Sequence, residues 1–244
     1  MKRRKDKVNL HSNNKNKKVF IIGLVIAAIA ISGILAIVLP SVGIHNVNNN
    51  NDQVAKALLI KEISNPTYPL APALGSSKAK VTMVEFGDYQ CPTCGAWFST
   101  QEASLVQNLV NTGKAKLVWR DFDFYGLDSV SASEAAYAAG EQGKFWQFHD
   151  LLFQNQQIPN GGWASRQNLV KLATQLGLNM TQFNSDFNSG KYDSLISANH
   201  ALGVQAGVTE TPTFFLIGSN GKMITIAGGQ PESVFEQAVA QLTG

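Results

Sequence analysis

Cysteine is nearly absent from this 244-residue chain, which holds only Cys91 and Cys94. A framework of structural disulfides is therefore excluded, and so is a zinc site built from cysteine alone. Charge is sparse as well: 15% of residues are charged against 44% hydrophobic, which excludes a disordered polyelectrolyte and leaves ample material for a packed core. Proline is scarce, at eight residues, and no glycine period accompanies it, so a collagen-like chain is excluded. The positive charge is confined to one end. Residues 1–18 carry eight Lys or Arg against the single Asp6, and the rest of the chain has a net charge of −4. A mildly acidic body lacks the basic face that nucleic-acid binding requires.

One long run lacks charge altogether. Val19 to Leu39 is continuously apolar, long enough to cross a hydrocarbon layer of about 30 Å as a helix. A cleaved signal peptide is the competing reading. This run exceeds the usual h-region, and Pro40-Ser41-Val42-Gly43 offers no A-x-A-like cleavage site. The spacing therefore predicts a basic cytoplasmic tail over 1–18, an uncleaved transmembrane anchor over 19–40 and, by the positive-inside rule, a domain on the extracytoplasmic side. Disulfide chemistry is permitted there. A spacer follows over 41–73, with the polar stretch Asn46–Asp52, a short amphipathic helix over Gln53–Ile63 and an extended, proline-punctuated segment Asn65–Pro72. The remaining residues, 74–244, suffice for one domain.

Within that domain Val81-Thr82-Met83-Val84-Glu85-Phe86 reads as a strand buried on both faces, ending at Gly87-Asp88. Pro92 to Val110 reads as a helix closed by Asn111-Thr112-Gly113, and Leu117-Val118-Trp119 as the next strand. Strand, helix and strand in so short a span make a βαβ unit with parallel strands. A helical block follows over about 130–206, opening at a capping box of Ser131 and Glu134, with apolar stripes that stop at Gly177 and Gly190. Thr213–Ile217 and Met223–Ile226 then read as a hairpin through Asn220-Gly221, and Pro231 opens a last helix. The order is βαβ, helical insert, ββα.

The two cysteines stand in Cys91-Pro92-Thr93-Cys94, where the first strand meets the first helix. Helical residues three apart have Cβ atoms about 5–6 Å apart, so such a disulfide opens and closes with little backbone motion. A ring this short is a poor staple, because loop-entropy stabilisation shrinks with loop length. Cys91 sits at unsatisfied helix N–H groups and the positive end of the macrodipole, which favours thiolate and makes it the expected nucleophile. Cys94, one turn in, is the expected resolving thiol. A static disulfide and half a zinc site are the competing readings, and no Cys or His cluster completes four ligands. His11 and His45 lie before the domain, and His149 and His200 read as structural members of the helical block. Glu85 is a carboxylate inside an apolar strand. It either faces water on an edge strand or is buried beneath the thiols, able to take and return the Cys94 proton, with Lys114, Lys116 or Arg120 as partners. Thr211-Pro212 precedes the late strand, where proline takes the first position, by a trans turn or a cis bend. Asn179-Met180-Thr181 fits a glycosylation tripeptide.

From about Leu74 to Leu242 these features resemble the thioredoxin superfamily, and more closely its DsbA-like thiol-disulfide oxidoreductases. The resemblance is carried by the strand into Cys91-Pro92-Thr93-Cys94, the stretch Phe145–Asp150 and Val208–Thr213. It implies an α/β thioredoxin fold with a helical insert, Cys91 attacking, Cys94 resolving, and Pro212 cis and facing them. Thr211 would contact the substrate strand beside Pro92 and Thr93, and Glu85 would be the carboxylate near the site. The Pro-Thr dipeptide departs from the Pro-His of a strongly oxidising member, and a threonine hydroxyl offers one donor where an imidazolium offers charge, which leaves redox direction open between oxidase and reductase or isomerase. With no dimerisation segment visible, a monomeric oxidase is the expectation. It needs no cofactor beyond its own disulfide, acts on exported reduced proteins and is reoxidised by a quinone-linked membrane partner. A non-redox, chaperone-like binding module is the alternative of a different class, and a metallochaperone lacks further soft ligands.

Overall fold

The structure is a computed structural model that describes residues 45–64 and 73–244, with side chains from Gln53 onward. The residues read as a basic tail and an anchor, and the segment Asn65–Pro72, lie outside the described residues. Among the described residues no helix is long and apolar enough to cross a membrane.

Four strands form one sheet in the order β2-β1-β3-β4, from β1 (Val81–Gly87), β2 (Ala115–Asp121), β3 (Thr213–Gly218) and β4 (Met223–Ala227). β1 is parallel to β2 and antiparallel to β3, and β3 to β4. Because side chains alternate across a strand, β1 splits its residues between two cores. Val81 and Met83 join Leu117, Phe214 and Leu216 against the last helix, α9 (Glu232–Thr243), and the residues that follow β1. Val84 and Phe86 join Val118, Phe215 and Ile217 on the other face, under Ile63 and Leu202. Glu85 shares the first face. An edge-strand Glu85 facing water is thereby corrected: β1 is central and Glu85 is 1% exposed.

The helix after β1 is not uniform. α2 (Pro92–Trp97) and α3 (Ala103–Leu105) are joined and followed by π-helical turns at Phe98–Glu102 and Val106–Val110. Ser99 Oγ donates to the Gly95 carbonyl and Thr100 Oγ1 to the Ala96 carbonyl, both at 2.7 Å, competing with the backbone ladder just where the register widens. Gly113, at φ 76°, takes the left-handed conformation that closes this segment.

The insert comprises α4 (Leu127–Gly140), α5 (Phe145–Gln154), α6 (Arg166–Gln175), α7 (Met180–Phe187) and α8 (Asp193–Gln205). Its core is continuous with the underside of the cysteine motif, since Tyr89, Cys91, Cys94 and Trp119 pack with Ala135, Ala139, Phe148 and Phe153. Two local expectations fail. α4 starts at Leu127 after Gly126, so Ser131 and Glu134 lie inside the helix rather than capping it, and Glu134 instead pairs with Arg166 at 2.8 Å. The first helix, α1, spans His45–Ser64 and takes in the asparagine run read as an unstructured spacer, consistent with propagation adding one hydrogen bond per residue once a nucleus exists. Its end is held by the Arg120 guanidinium, which donates to the Glu62 carbonyl at 2.9 Å.

Candidate active site

β1 delivers the chain to a tight turn. Asp88 Oδ1 accepts from the Gln90 N–H at 2.7 Å and the Asp88 carbonyl accepts from the Cys91 N–H at 3.0 Å, an Asx-type turn that brings Cys91 to the helix N-cap with Pro92 first inside. Both cysteines are free thiols. Cys91 is 4% exposed, covered by Thr211 and the segment after β2. It nevertheless lines a cavity of about 220 Å³ with Thr93, Phe124, Tyr125, Thr211 and Gly228.

The two sulfurs are electrostatically unlike. The Cys91 thiol is lowered to about 6, chiefly by a hydrogen bond from Cys94; the Thr211 side chain and the N–H groups of Cys94 and Thr93 add to this, and burial opposes it. In its thiol form Cys91 Sγ donates to the Thr211 carbonyl at 3.3 Å. Burial pushes the Cys94 thiol well up, helped by its bond to Cys91 and by the charges of Cys91 and Glu85. Glu85 is likewise held well above the usual carboxylate range, first by burial and then by Glu102 and Cys91. It stands opposite Trp119 in the register. The guanidinium offered as its partner is directed elsewhere: Arg120 Nη1 donates to Asn199 at 2.7 Å and Nη2 to the α1 carbonyl.

The Thr211-Pro212 peptide is cis, and Thr211 abuts Cys91. Glu85 lies within electrostatic reach of both sulfurs; Thr93 lines the cavity, Pro92 is exposed on its helix turn, and Pro212 is buried next to Thr211.

Sequence reasoning missed the residues that hold this constellation. Asp88, fully buried, accepts with Oδ2 from the N–H groups of Phe124 at 2.6 Å and Tyr125 at 2.9 Å, tying the segment after β2 to the cysteine turn. A Gly-Asp at a strand end was the available signal for the turn, though not for its second grip. Gln156, beyond α5, donates through Nε2 to the carbonyls of Tyr89 at 2.6 Å and Cys91 at 3.0 Å. Its Oε1 would lie 1.9 Å from a Cβ added at Gly95, so that position needs glycine while Gln156 is in place. Gln90 reaches the insert too, accepting from the Asn160 N–H at 2.7 Å and donating to Ser129 Oγ at 3.0 Å.

A dithiol at the first strand–helix junction of this fold, with a cis-proline loop against the outer sulfur and a helical insert behind, defines the class of thioredoxin-fold thiol-disulfide oxidoreductases. A family model described as Thioredoxin matches residues 68–228. The chain belongs to that family and is a DsbA-like thiol-disulfide oxidoreductase. It is 29% identical over 156 residues to the probable disulfide bond formation protein D of Bacillus cereus, covering 62% of this chain and 72% of that protein. To the disulfide bond formation protein D of Bacillus subtilis it is 27% identical over 164 residues, 65% of this chain and 72% of that one. Among solved structures, a thioredoxin-like oxidoreductase from Silicibacter pomeroyi matches with a TM-score of 0.60 and 30% identity over 71% of this chain and 92% of that one. Oxidised BdbD from Bacillus subtilis shares the fold, at a TM-score of 0.65 and 24% identity over 74% and 97% of the two chains.

Proposed function

We propose that this chain is an oxidant, anchored in the cell membrane by residues 19–40, that donates its Cys91–Cys94 disulfide to cysteines of exported proteins on the extracytoplasmic side. The observation that carries exchange at Cys91 is the unlike pair of sulfurs, Cys91 lowered to about 6 and Cys94 held up, and the oxidising direction is supported by the likeness to the disulfide bond formation protein D of Bacillus subtilis. Whatever stabilises the reduced thiolate makes the disulfide more oxidising, so Thr93 need not be histidine for the couple to favour oxidation. The basic tail and apolar run support the anchored topology.

In the forward direction a substrate thiolate attacks Cys91 Sγ, a substrate–Cys91 disulfide forms, the Cys91–Cys94 bond breaks and Cys94 leaves as thiolate. Glu85, buried and held in its acid form, is placed to give that thiolate a proton. A second substrate thiolate then attacks the substrate sulfur of the mixed disulfide and releases Cys91 as the low-pKa thiolate. The substrate has lost two electrons and the enzyme has gained them. A quinone-linked membrane protein that accepts those electrons completes the cycle. The cavity at Cys91, lined in part by Phe124 (64% exposed) and Tyr125, suits an extended segment with apolar side chains, and Thr211 offers it a backbone edge.

Equilibration of the full-length chain with glutathione redox mixtures tests the direction. A potential nearer about −120 mV than about −270 mV is expected; one near about −270 mV would turn the reading to a reductase.

A further inference from the structure

A second polar cluster lies behind the aromatic wall of the active site, and of its members only Glu102 bears on the thiol site, through its charge on Glu85. Glu102 comes from the π-helical turn Phe98–Glu102, and His149 and Asp150 are neighbours on α5. One ligand atom from each lies within 4.8 Å of the other two, the only such group of three among the described residues. Glu102 and His149 are buried, at 5% and 0% exposed. A cavity of about 510 Å³ opens on the cluster, lined by Glu102, Asp150, Phe98, Trp146 and Gln154 among others.

The imidazole is the informative group. Its Nδ1 lies 3.1 Å from Tyr89 Oη, while the buried Nε2 has no hydrogen-bond partner and lies 3.7 Å from Glu102 Oε1. If Nδ1 carries the proton and donates to Tyr89, the Nε2 lone pair faces a carboxylate oxygen. If Nε2 carries it, the N–H is too far from Glu102 to bond. Neither neutral tautomer gives that atom a hydrogen bond, Glu102 standing only at ion-pair distance, and a cation between Nε2 and the two carboxylates would bind it. Orientation of the opposite ring nitrogen by an oxygen is also what a metal-bound histidine requires.

We propose that Glu102, His149 and Asp150 form a binding site for a first-row divalent cation. One imidazole and two carboxylates suit Zn²⁺. With bonds of about 2.0–2.2 Å, two ligand atoms on a tetrahedral ion lie about 3.4 Å apart. The His149–Glu102 pair is already near that spacing, and Asp150, at the cavity, closes the rest by side-chain rotation. The cavity gives the ion its route in and leaves its fourth position to water. His149 read as structural from sequence because the partners that make it a ligand are a neighbouring Asp and a Glu forty-seven positions earlier on another helix.

The test uses the full-length chain with its Cys91–Cys94 disulfide closed, so that thiols do not compete for metal. Titration calorimetry with Zn²⁺, with elemental analysis after dialysis, is expected to find one equivalent bound. Asp150→Asn is expected to weaken binding about tenfold or more. That variant keeps its fold because Asp150 lies at the cavity, and Glu102→Gln is the second variant. On nitrogen-15 NMR, Zn²⁺ should shift His149 Nε2 while Nδ1 stays protonated. No Zn²⁺ uptake, or uptake unchanged in Asp150→Asn, would overturn the site. So would tighter binding of Ca²⁺ than of Zn²⁺, since Ca²⁺ takes oxygen ligands and would leave His149 outside the shell.

Discussion

The thioredoxin half and the helical insert divide the work differently. The sheet and its helices supply the candidate site: Cys91 and Cys94 at the N-terminal end of α2, Glu85 on the central strand, and Thr211 against Cys91 on the loop before β3. The insert supplies none of these, yet it holds the loops that carry them, through Gln156 on two carbonyls and through Asn160 and Ser129 on Gln90. Chemistry sits on one half and its geometry is set by the other. The sharpest way to break that division is at the sulfurs. Cys91→Ser is expected to reduce oxidation of a reduced test protein to background, whereas Cys94→Ser should accumulate a mixed disulfide visible on a non-reducing gel. Turnover by the Cys91→Ser protein would move the nucleophile elsewhere.

Next in size is the proton. Glu85→Gln removes the buried acid but keeps its shape, and the step in which Cys94 leaves is expected to slow about 10²-fold at neutral pH, read by stopped-flow tryptophan fluorescence. The same substitution has a stability consequence of known sign. A carboxyl whose folded pKa is raised contributes stability that is full below its unfolded value, near 4.5, and is lost as pH rises through the folded value. The Gln variant should therefore gain stability over the wild type as pH climbs from about 5, and the gap should not close again on the alkaline side.

The insert's share is smaller and is measured by coupling. Gly95→Ala pushes aside the Gln156 amide, and the loss of its hydrogen bonds to the Tyr89 and Cys91 carbonyls costs about 1–3 kcal/mol. Paired with Gln156→Ala, the cost should fall by more than half in a double-mutant cycle on urea unfolding. Additive effects would mean that Gln156 does not press on the cysteine turn. Gln156→Ala alone frees two carbonyls beside Cys91 and should lower thiol-exchange rate without abolishing it.

The two halves also differed in how much the sequence revealed. The strands of the sheet were readable because alternation and β-branched runs are local, and Gly113, Gly177 and Gly190 stop helices by a conformation that glycine alone adopts easily. The cysteine pair, its place at a strand–helix junction and Thr211-Pro212 were readable for the same reason. The start of α4 was not, since Gly126-Leu127 carries no side-chain cap and Ser131-Glu134 imitates one. Nor were Gln156, Asn160 and the second grip of Asp88, whose partners stand 36 to 70 residues away. The burial of Glu85 was undecidable until β3 was paired to β1, because only strand order says which strand has two neighbours.

Asp88 stands on the seam between the halves, and its substitution should have the smallest effect and the most specific one. Its Oδ1 makes the turn into Cys91, and its Oδ2 grips the N–H groups of Phe124 and Tyr125, residues that line the cavity at Cys91 and lead into α4. Asn in its place can keep the first bond through Oδ1, but its Nδ2 is a donor facing two donors, so the second grip is lost. The cysteine turn should hold and the cavity wall should loosen. Asp88→Asn is therefore expected to raise KM for a reduced peptide several-fold while kcat changes less. The alkylation-rate profile of Cys91 should keep its inflection at about 6, because the groups that lower that thiol come from Cys94, Thr211 and the helix N–H groups and not from Asp88. If the inflection moves while KM stays, Asp88 acts on the sulfur rather than on the wall, and the seam would belong to the reacting half.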